Sequence, residues 1–459
     1  MPDEYDRLDD ETRLQRKYVN TFAWNVMDDY YLWRDEIAPA LERWENWEEP
    51  IRKVADIRYK DAAGKDIDRW TMLTDDFASL VGGVSGHART FGMDFQLYYY
   101  DSTHQRVCAV LTYVYADSPA DAAGLKRGDT ILTVNGQEMT PGNYRAIVRD
   151  HLFGGGTVKL GLTDGRSATI TAVEMYENPV HTVRILERPD GRKVGYLHFT
   201  GFTLDASKDL VDVFRQFKAD GIRELVLDLR YNSGGYLTTG QVLASMIAPP
   251  DVVQRKEIFN KDVFNSILGP KMNAETRFAP TMEIELSSGK IMLNMLNAKP
   301  DIARLWVLVT GQSASASESL ICGLKPYMDV QLVGSRTYGK FCGGYLITAE
   351  SWFKQLEKQK TDIDFTEAYR YTKNWGLYVI ASRYADCNGV TLSMPEGIPA
   401  DIEAYDDPLD GHPLGDPSES MLSVALGRMG GSPLAKPTKG AIERIEVPFE
   451  KPGSGALLH

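Results

Sequence analysis

Apolar residues change their spacing several times along the chain, and each change marks a different unit. From about Glu11 to Glu49, large apolar side chains recur at helical intervals, with Trp24, Met27 and Tyr31 on one face and Tyr30, Trp33 and Ile37 on its neighbour. Trp44 and Trp47 continue the pattern, which predicts a helical cover whose rings pack into a core. From about Val180 to Ala425 the pattern alternates between short apolar runs and amphipathic stretches. "VGYLHFTGF" reads as a strand, "DASKDLVDVFRQFKADG" as a helix stopped by Gly221, and "RELVLDLRYNSGG" as a buried strand entering a glycine-rich turn. "RLWVLVT" and "VQLVGSRTYGK" add two strands, "SASASESLICGLKPYM" leads into a helix, and "GLYVIASRYADCNGVTLSMPEGIP" reads as a hairpin turning near Asn388 and Gly389. Alternation of this kind predicts an α/β core. Polar insertions over roughly 251–300 and 351–374 are candidate lids or channel walls, and after Leu426 the Gly, Pro and Lys content predicts a loose tail.

Between the helical start and the core, "ADSPADAAGLKRGDTILTVNG" has its own grammar. Asp117 or Ser118 can cap a short helix, Pro119 suits its first turn and Gly124 its left-handed end. "TILTV" then alternates as a strand and closes on the tight-turn pair Asn135-Gly136. This stretch resembles the signature of a PDZ domain. The resemblance implies that an extended peptide adds to a sheet edge at Phe91, Gly92, Met93, Asp94 and Phe95, with a terminal carboxylate held by backbone N–H groups. Asp94 opposes that role unless its charge points away. The expected organisation is therefore a helical region at 1–85, a PDZ-like domain at 86–176, an α/β core at 177–425 and a tail at 426–459.

Composition narrows the partners. A net charge of −13 without a long basic run argues against nucleic acid and favours a protein, peptide or small molecule. Cys108, Cys322, Cys342 and Cys387 are scattered, with neither a CxxC nor a histidine at ligand spacing, so no metal or disulfide framework is signalled. No apolar run approaches the roughly 18 residues of a membrane span, and the first residues lack the pattern of a secretory signal.

The candidate chemistry lies just after strands. In "SASASE" a turn of small residues opens a helix and leaves N–H groups unpaired, which suits a developing oxyanion. Ser315 and Glu318 also satisfy the spacing of a capping box, and the two readings are compatible. Lys340 stands in "TYGK", 340 − 315 = 25 positions on, followed by the apolar run Phe341 to Ile347. A serine needs a base, and a lysine serves only if burial lowers its pKa by roughly three units, a differential of about 4 kcal/mol. In "DLRYNSGG", Gly234 and Gly235 free the backbone to aim an N–H into such a site, while Asp228 and Arg230 share a strand face.

"LVLDLRYNSGG", "VLVTGQSASASE" and "LVGSRTYGK", in this order and with the PDZ-like module ahead of them, resemble the carboxyl-terminal processing, or tail-specific, serine peptidases over roughly 68–417. The resemblance implies Ser315 as nucleophile, Lys340 as general base, and an oxyanion hole from the N–H groups of Ala316 and of Gly234 or Gly235. It implies a crotonase-like core with an inserted PDZ domain, protein substrates cut near unstructured tails, no metal and no cofactor. A cell-envelope location, periplasmic or lipid-anchored, follows from likeness to envelope lipoproteins of Bacteroidetes-type bacteria. Many members of that family place a glutamine four residues after the lysine to orient it, and this chain has Gly344 there. Thr337, Tyr338 and Ser313 are the polar candidates for that duty, and a peptide-binding scaffold on a decayed protease core is the rival reading.

Overall fold

In the core, Leu225, Val226 and Leu227 are all fully buried, and successive side chains of a strand point to opposite faces, so this strand must be covered on both sides. The computed structural model describes residues 7–272, 275–359, 361–392, 394–430, 443–445 and 457–458. It places Glu224–Asp228 inside a six-stranded sheet ordered Val180–Glu187, Lys193–Phe199, Glu224–Asp228, Arg304–Val309, Asp329–Gly334, Ile402–Glu403. The first pair is antiparallel and the rest are parallel. Leu225 and Leu227 pack with Leu210 and Phe214 of helix Ala206–Ala219, Val242 of Leu237–Ile247 and Leu320 of Ala316–Leu324. Val226 packs on the opposite face against Met421 and Leu422 of helix Ser420–Met429. That last helix carries the ordered core past Leu426, where the composition had predicted a loose tail.

A second sheet holds, among the described residues, seven strands and runs Gly235–Tyr236, Leu457–Leu458, Cys342–Thr348, Gly376–Ala385, Ile258–Phe264, Glu275–Arg277, with Met72–Thr74 also on Gly376–Ala385. The turn expected near Gly389 forms, with Asp386 N donating to Val390 O at 3.0 Å, but among the described residues no strand returns from it. Both edges of Gly376–Ala385 are already taken, by Cys342–Thr348 on one side and by Ile258–Phe264 and Met72–Thr74 on the other, so a hairpin partner has nowhere to pair. The polar insertions are structural parts of the core. The first supplies Ile258–Phe264 and the hairpin Thr281–Leu286/Gly289–Asn294. The second supplies helices Ala349–Glu357 and Phe365–Thr372, whose Phe353 and Ala368 pack against Tyr18, Phe22 and Val26. The helix bearing those three residues, Asp10–Tyr30, is shorter than the periodicity predicts.

The PDZ-like sheet is ordered Met93–Tyr99, Val107–Val114, Thr130–Val134, Thr157–Leu162, Ser167–Thr171, which leaves Met93–Tyr99 at an edge. Ser118 Oγ accepts from Asp121 N at 3.1 Å to cap helix Pro119–Ala122, and Asn135 and Gly136 take positive φ in the turn. This domain is fastened to the core by a buried cation. Arg127 donates to Asp406 Oδ1 at 2.9 Å and to Tyr231 Oη at 2.7 Å, while Arg230 pairs with Asp406, Glu419 and Asp228. Asp406, in an acidic stretch for which the sequence suggests no role, is therefore part of this seam. Burial raises the Asp406 pKa, but Arg127 and Arg230 outweigh it and hold the carboxyl down to about 2. Relative to an unfolded value of about 3.9, its stabilising contribution is fully present above pH ~4 and is lost as pH falls through about 2. Arg127→Ala is expected to cost about 3 kcal/mol and to expose the domain seam, measurable by thermal unfolding and by faster hydrogen exchange around Tyr231.

Candidate active site

Ser315 stands where strand Arg304–Val309 gives way to helix Ala316–Leu324, with φ 61° and ψ −113°. That region is costly for a residue with a Cβ and persists only where surrounding contacts impose it. The side chain is fully buried, and Oγ has no hydrogen-bond partner among the described residues. The capping box is present: Ser315 N donates to Glu318 Oε2 at 3.0 Å, and the serine side chain faces the Glu318 N–H without reaching full hydrogen-bond geometry.

Glu318 does more than cap a helix. The same carboxylate accepts from Gly339 N at 2.8 Å, Lys340 N at 2.8 Å and Thr337 Oγ1 at 2.5 Å. Burial raises its pKa, opposed by these four donors. Tyr384 forms a second staple, its hydroxyl 3.3 Å from the carbonyl oxygens of both Ser315 and Lys340. Glu318 thus ties the N–H groups of the two candidate residues together and Tyr384 their carbonyls.

Lys340 is also fully buried. Its Nζ donates to Tyr378 Oη at 3.3 Å and lies 5.1 Å from the ring centroid of Trp70 and 5.2 Å from that of Tyr378. No hydrogen bond joins it to Ser315 Oγ in this conformation. Gly344 cannot be replaced by an orienting side chain, because an added Cβ would meet Val379 O at 2.4 Å and Tyr378 Cε2 at 2.8 Å. Tyr378 fills that space and supplies a polar contact. Two of the polar candidates from sequence are engaged elsewhere, Ser313 Oγ with Leu229 O and Thr337 Oγ1 with Glu318. The third, Tyr338, stacks under the Arg69 guanidinium.

The glycine-rich turn abuts the serine, since a Cβ on Gly234 would lie 2.7 Å from Ser315 Cβ. Gly234 N donates to Asn232 Oδ1 at 2.9 Å and Gly235 pairs with Leu457 in the second sheet, so either glycine would have to give up a present partner to serve as an oxyanion donor. Ala316 opens the helix, where its N–H has no intrahelical acceptor. The site touches the PDZ-like domain through Gln96 Nε2, which donates to Gln312 Oε1 at 2.7 Å, three residues before Ser315.

The proposed carboxylate loop looks different from expectation. Phe91 and Met93 are buried within the domain's own core, and Gly92 closes on Ser118, whose Cβ would be 2.1 Å from an added Cβ. Gly92 N already donates to Thr90 Oγ1 and Phe95 N to Asp94 Oδ1, so two of the loop donors are spent internally. Asp94 turns toward Tyr113, whose hydroxyl donates to it at 2.9 Å.

Sequence reasoning missed Glu318 as a clamp, and Tyr378 and Tyr384 entirely. The four donors around Glu318 come from residues 22 or fewer positions away, so its helix-start position was the only signal.

Comparison with known proteins agrees with this architecture. Residues 193–404 match peptidase family S41 and residues 110–152 match a PDZ domain. A protein of Staphylococcus aureus (strain bovine RF122 / ET3-1) described as a CtpA-like serine protease is 29% identical over 223 residues, covering 49% of this chain and 40% of its own length. A carboxyl-terminal-processing protease of Picosynechococcus sp. is 28% identical over 233 residues, covering 49% of this chain and 48% of its own. The chain thus spans less than half the length of these curated relatives. A crystal structure of an S41 protease from Bacteroides fragilis NCTC 9343 superposes with a TM-score of 0.66 at 22% identity, covering 89% of this chain and 97% of the other, which shows a shared fold.

Proposed function

Because the chain carries a peptidase family S41 region and a PDZ domain, we propose that it is a serine endopeptidase that cuts protein substrates near unstructured segments, working through Ser315 and Lys340 on a crotonase-like core. The observation that carries this reading is the double fastening of the two residues: one buried carboxylate holds both N–H groups and one tyrosine hydroxyl both carbonyls.

In the proposed reaction the uncharged Lys340 amine takes the proton from Ser315 Oγ as the oxygen attacks the scissile carbonyl carbon. The negative charge that gathers on the carbonyl oxygen is met by Ala316 N–H and by the N–H of Gly234 or Gly235, released from its present partner. The Lys340 ammonium then returns its proton to the departing amine nitrogen, leaving an ester on Ser315. Water, deprotonated by the same amine, attacks that ester, and the proton passes back to Ser315. Lys340 is fully buried, with Nζ beside the rings of Trp70 and Tyr378, which is the sheltered setting a lysine base requires. In the present conformation the serine and lysine are not hydrogen-bonded, and in the proposed reaction that contact forms in the peptide complex. Gln96–Gln312 offers the PDZ domain a direct handle on the loop that would move.

Tyr378 is assigned the duty of positioning the Lys340 amine. Tyr378→Phe is expected to lower kcat about tenfold or more while leaving KM and the unfolding transition close to wild type. An equal fall in stability and kcat would instead mark Tyr378 as structural. No helix among the described residues is long and apolar enough to cross a membrane. A cell-envelope location is part of the proposal on family likeness alone. The decisive test of function is turnover of a disordered, apolar-ended peptide by wild type, Ser315→Ala and Lys340→Ala. Equal turnover by all three would eliminate the assigned residues, and no turnover by any would favour a peptide-binding scaffold.

A further inference from the structure

Two short pieces of the C-terminal segment lie against the two places a substrate would need. Residues 443–445 run along the open edge of the PDZ strand Met93–Tyr99. Tyr99 N donates to Glu443 O at 2.9 Å, Ile445 N donates to Leu97 O at 2.9 Å, and Tyr98 and Arg444 form an antiparallel bridge. Ile445 packs against the PDZ core, and Glu443 Oε2 lies 3.1 Å from His104 Nε2. The unpaired donors and acceptors of an edge strand are a template for one more strand, and here that strand belongs to the same chain.

Leu457–Leu458 occupies the second place. It lies between Gly235–Tyr236, the turn beside Ser315, and Cys342–Thr348, the strand that follows Lys340. Leu457 pairs with Gly235, and Leu458 pairs with both Tyr236 and Gly344, all in parallel register. Without this piece the sheet has a gap one strand wide whose two walls are the oxyanion turn and the lysine strand. Gly344 sits on one wall, where backbone pairing rather than a side chain is what the position offers.

We infer that the PDZ edge and this gap form one bipartite site for an extended peptide, and that the chain's own residues 443–445 and 457–458 are its resident ligands. The inference rests on the peptidase reading for what the gap would do with a foreign peptide, but not for the binding itself. The two anchor points are 457 − 445 = 12 residues apart, a reach of at most about 40 Å for extended chain. The two sites adjoin, since Gln96 on the PDZ edge strand touches Gln312 in the serine loop. The geometry also assigns an order. The PDZ edge grips a point upstream of the piece in the gap, through backbone bonds, which agrees with the loop donors of Gly92 and Phe95 being spent internally rather than kept for a terminal carboxylate. A foreign peptide must displace the resident segment from both positions, so the segment acts as a competitor in cis whose effective concentration is set by its tether.

The test uses the full chain with Ser315→Ala, so that binding is read without turnover and a failure of the peptidase reading leaves the result intact. A fluorescent synthetic peptide of residues 443–458 is titrated into this protein and into versions also carrying Ile445→Pro, Leu458→Pro or both. Proline removes the N–H that each ladder needs. The expected result is at least tenfold tighter binding by the double variant, with each single variant in between and Ile445→Ala, which keeps its N–H, much closer to the parent. Hydrogen exchange provides the second reading: the Tyr99 amide, protected by Glu443 O, exchanges faster in Ile445→Pro. Equal peptide affinity across the series, or a Tyr99 amide indifferent to Ile445→Pro, would overturn the inference.

Discussion

Ser315→Ala is expected to reduce peptide hydrolysis by about 10⁴-fold or more, and Lys340→Ala to do nearly the same. Serine and lysine act on one proton, so the double substitution should be scarcely worse than either alone. Additive losses would mean that the two residues serve different steps. The Ser315→Ala protein should also be no less stable than wild type. Its hydroxyl has no hydrogen-bond partner among the described residues, and a buried hydroxyl without a partner is a burden on the fold. Steady-state kinetics with urea unfolding of the same samples reads both effects. A variant that loses activity because it unfolds would not separate function from structure, and this one should.

The opposite signature is expected at Glu318. Glu318→Ala leaves the N–H groups of Ser315, Gly339 and Lys340 and the Thr337 hydroxyl buried without their acceptor. At roughly 1–3 kcal/mol per stranded donor, partly offset by relaxation, the loss should exceed about 3 kcal/mol, and activity should vanish with it. Glu318→Gln keeps one acceptor oxygen but turns a donor toward donors, so it should retain part of the stability and still lose most of kcat. If Glu318→Gln matched wild type in both, the carboxylate would be an ordinary helix cap and the clamp account of the site would fail.

Much of this architecture was legible in the chain because its signals are local. The strand Thr130–Val134, the helix Ala206–Ala219, the Ser118 cap and the Asn135-Gly136 turn each depend on residues within one element, and each appears where the pattern places it. The site was legible only as a pair of loops. That Tyr378 and Tyr384 reach Lys340 and Ser315 depends on strand Gly376–Ala385 pairing with Cys342–Thr348, a long-range register that no local pattern encodes. The predicted hairpin failed for the same reason: the turn at Gly389 is local and forms, while the choice of partner belongs to the sheet. The insertions, read as lids from their polarity, contribute an inner strand and two packing helices, because a few buried residues such as Phe259 and Phe353 outweigh a polar average. The segment after residue 430 is the reverse case. Its Gly, Pro and Lys content hides short runs that can pair backbone to backbone, a mode of docking that asks little of side chains.

The central claim is that Ser315 becomes covalently acylated with Lys340 as its base. The most direct measurement is intact-mass spectrometry of acid-quenched reactions with an activated peptide ester, followed by mapping of the modified residue. The account predicts an acyl adduct on the fragment containing Ser315 in wild type, and none in Ser315→Ala or Lys340→Ala at the same time points. An adduct on another residue, or turnover that persists undiminished in Lys340→Ala, would contradict it.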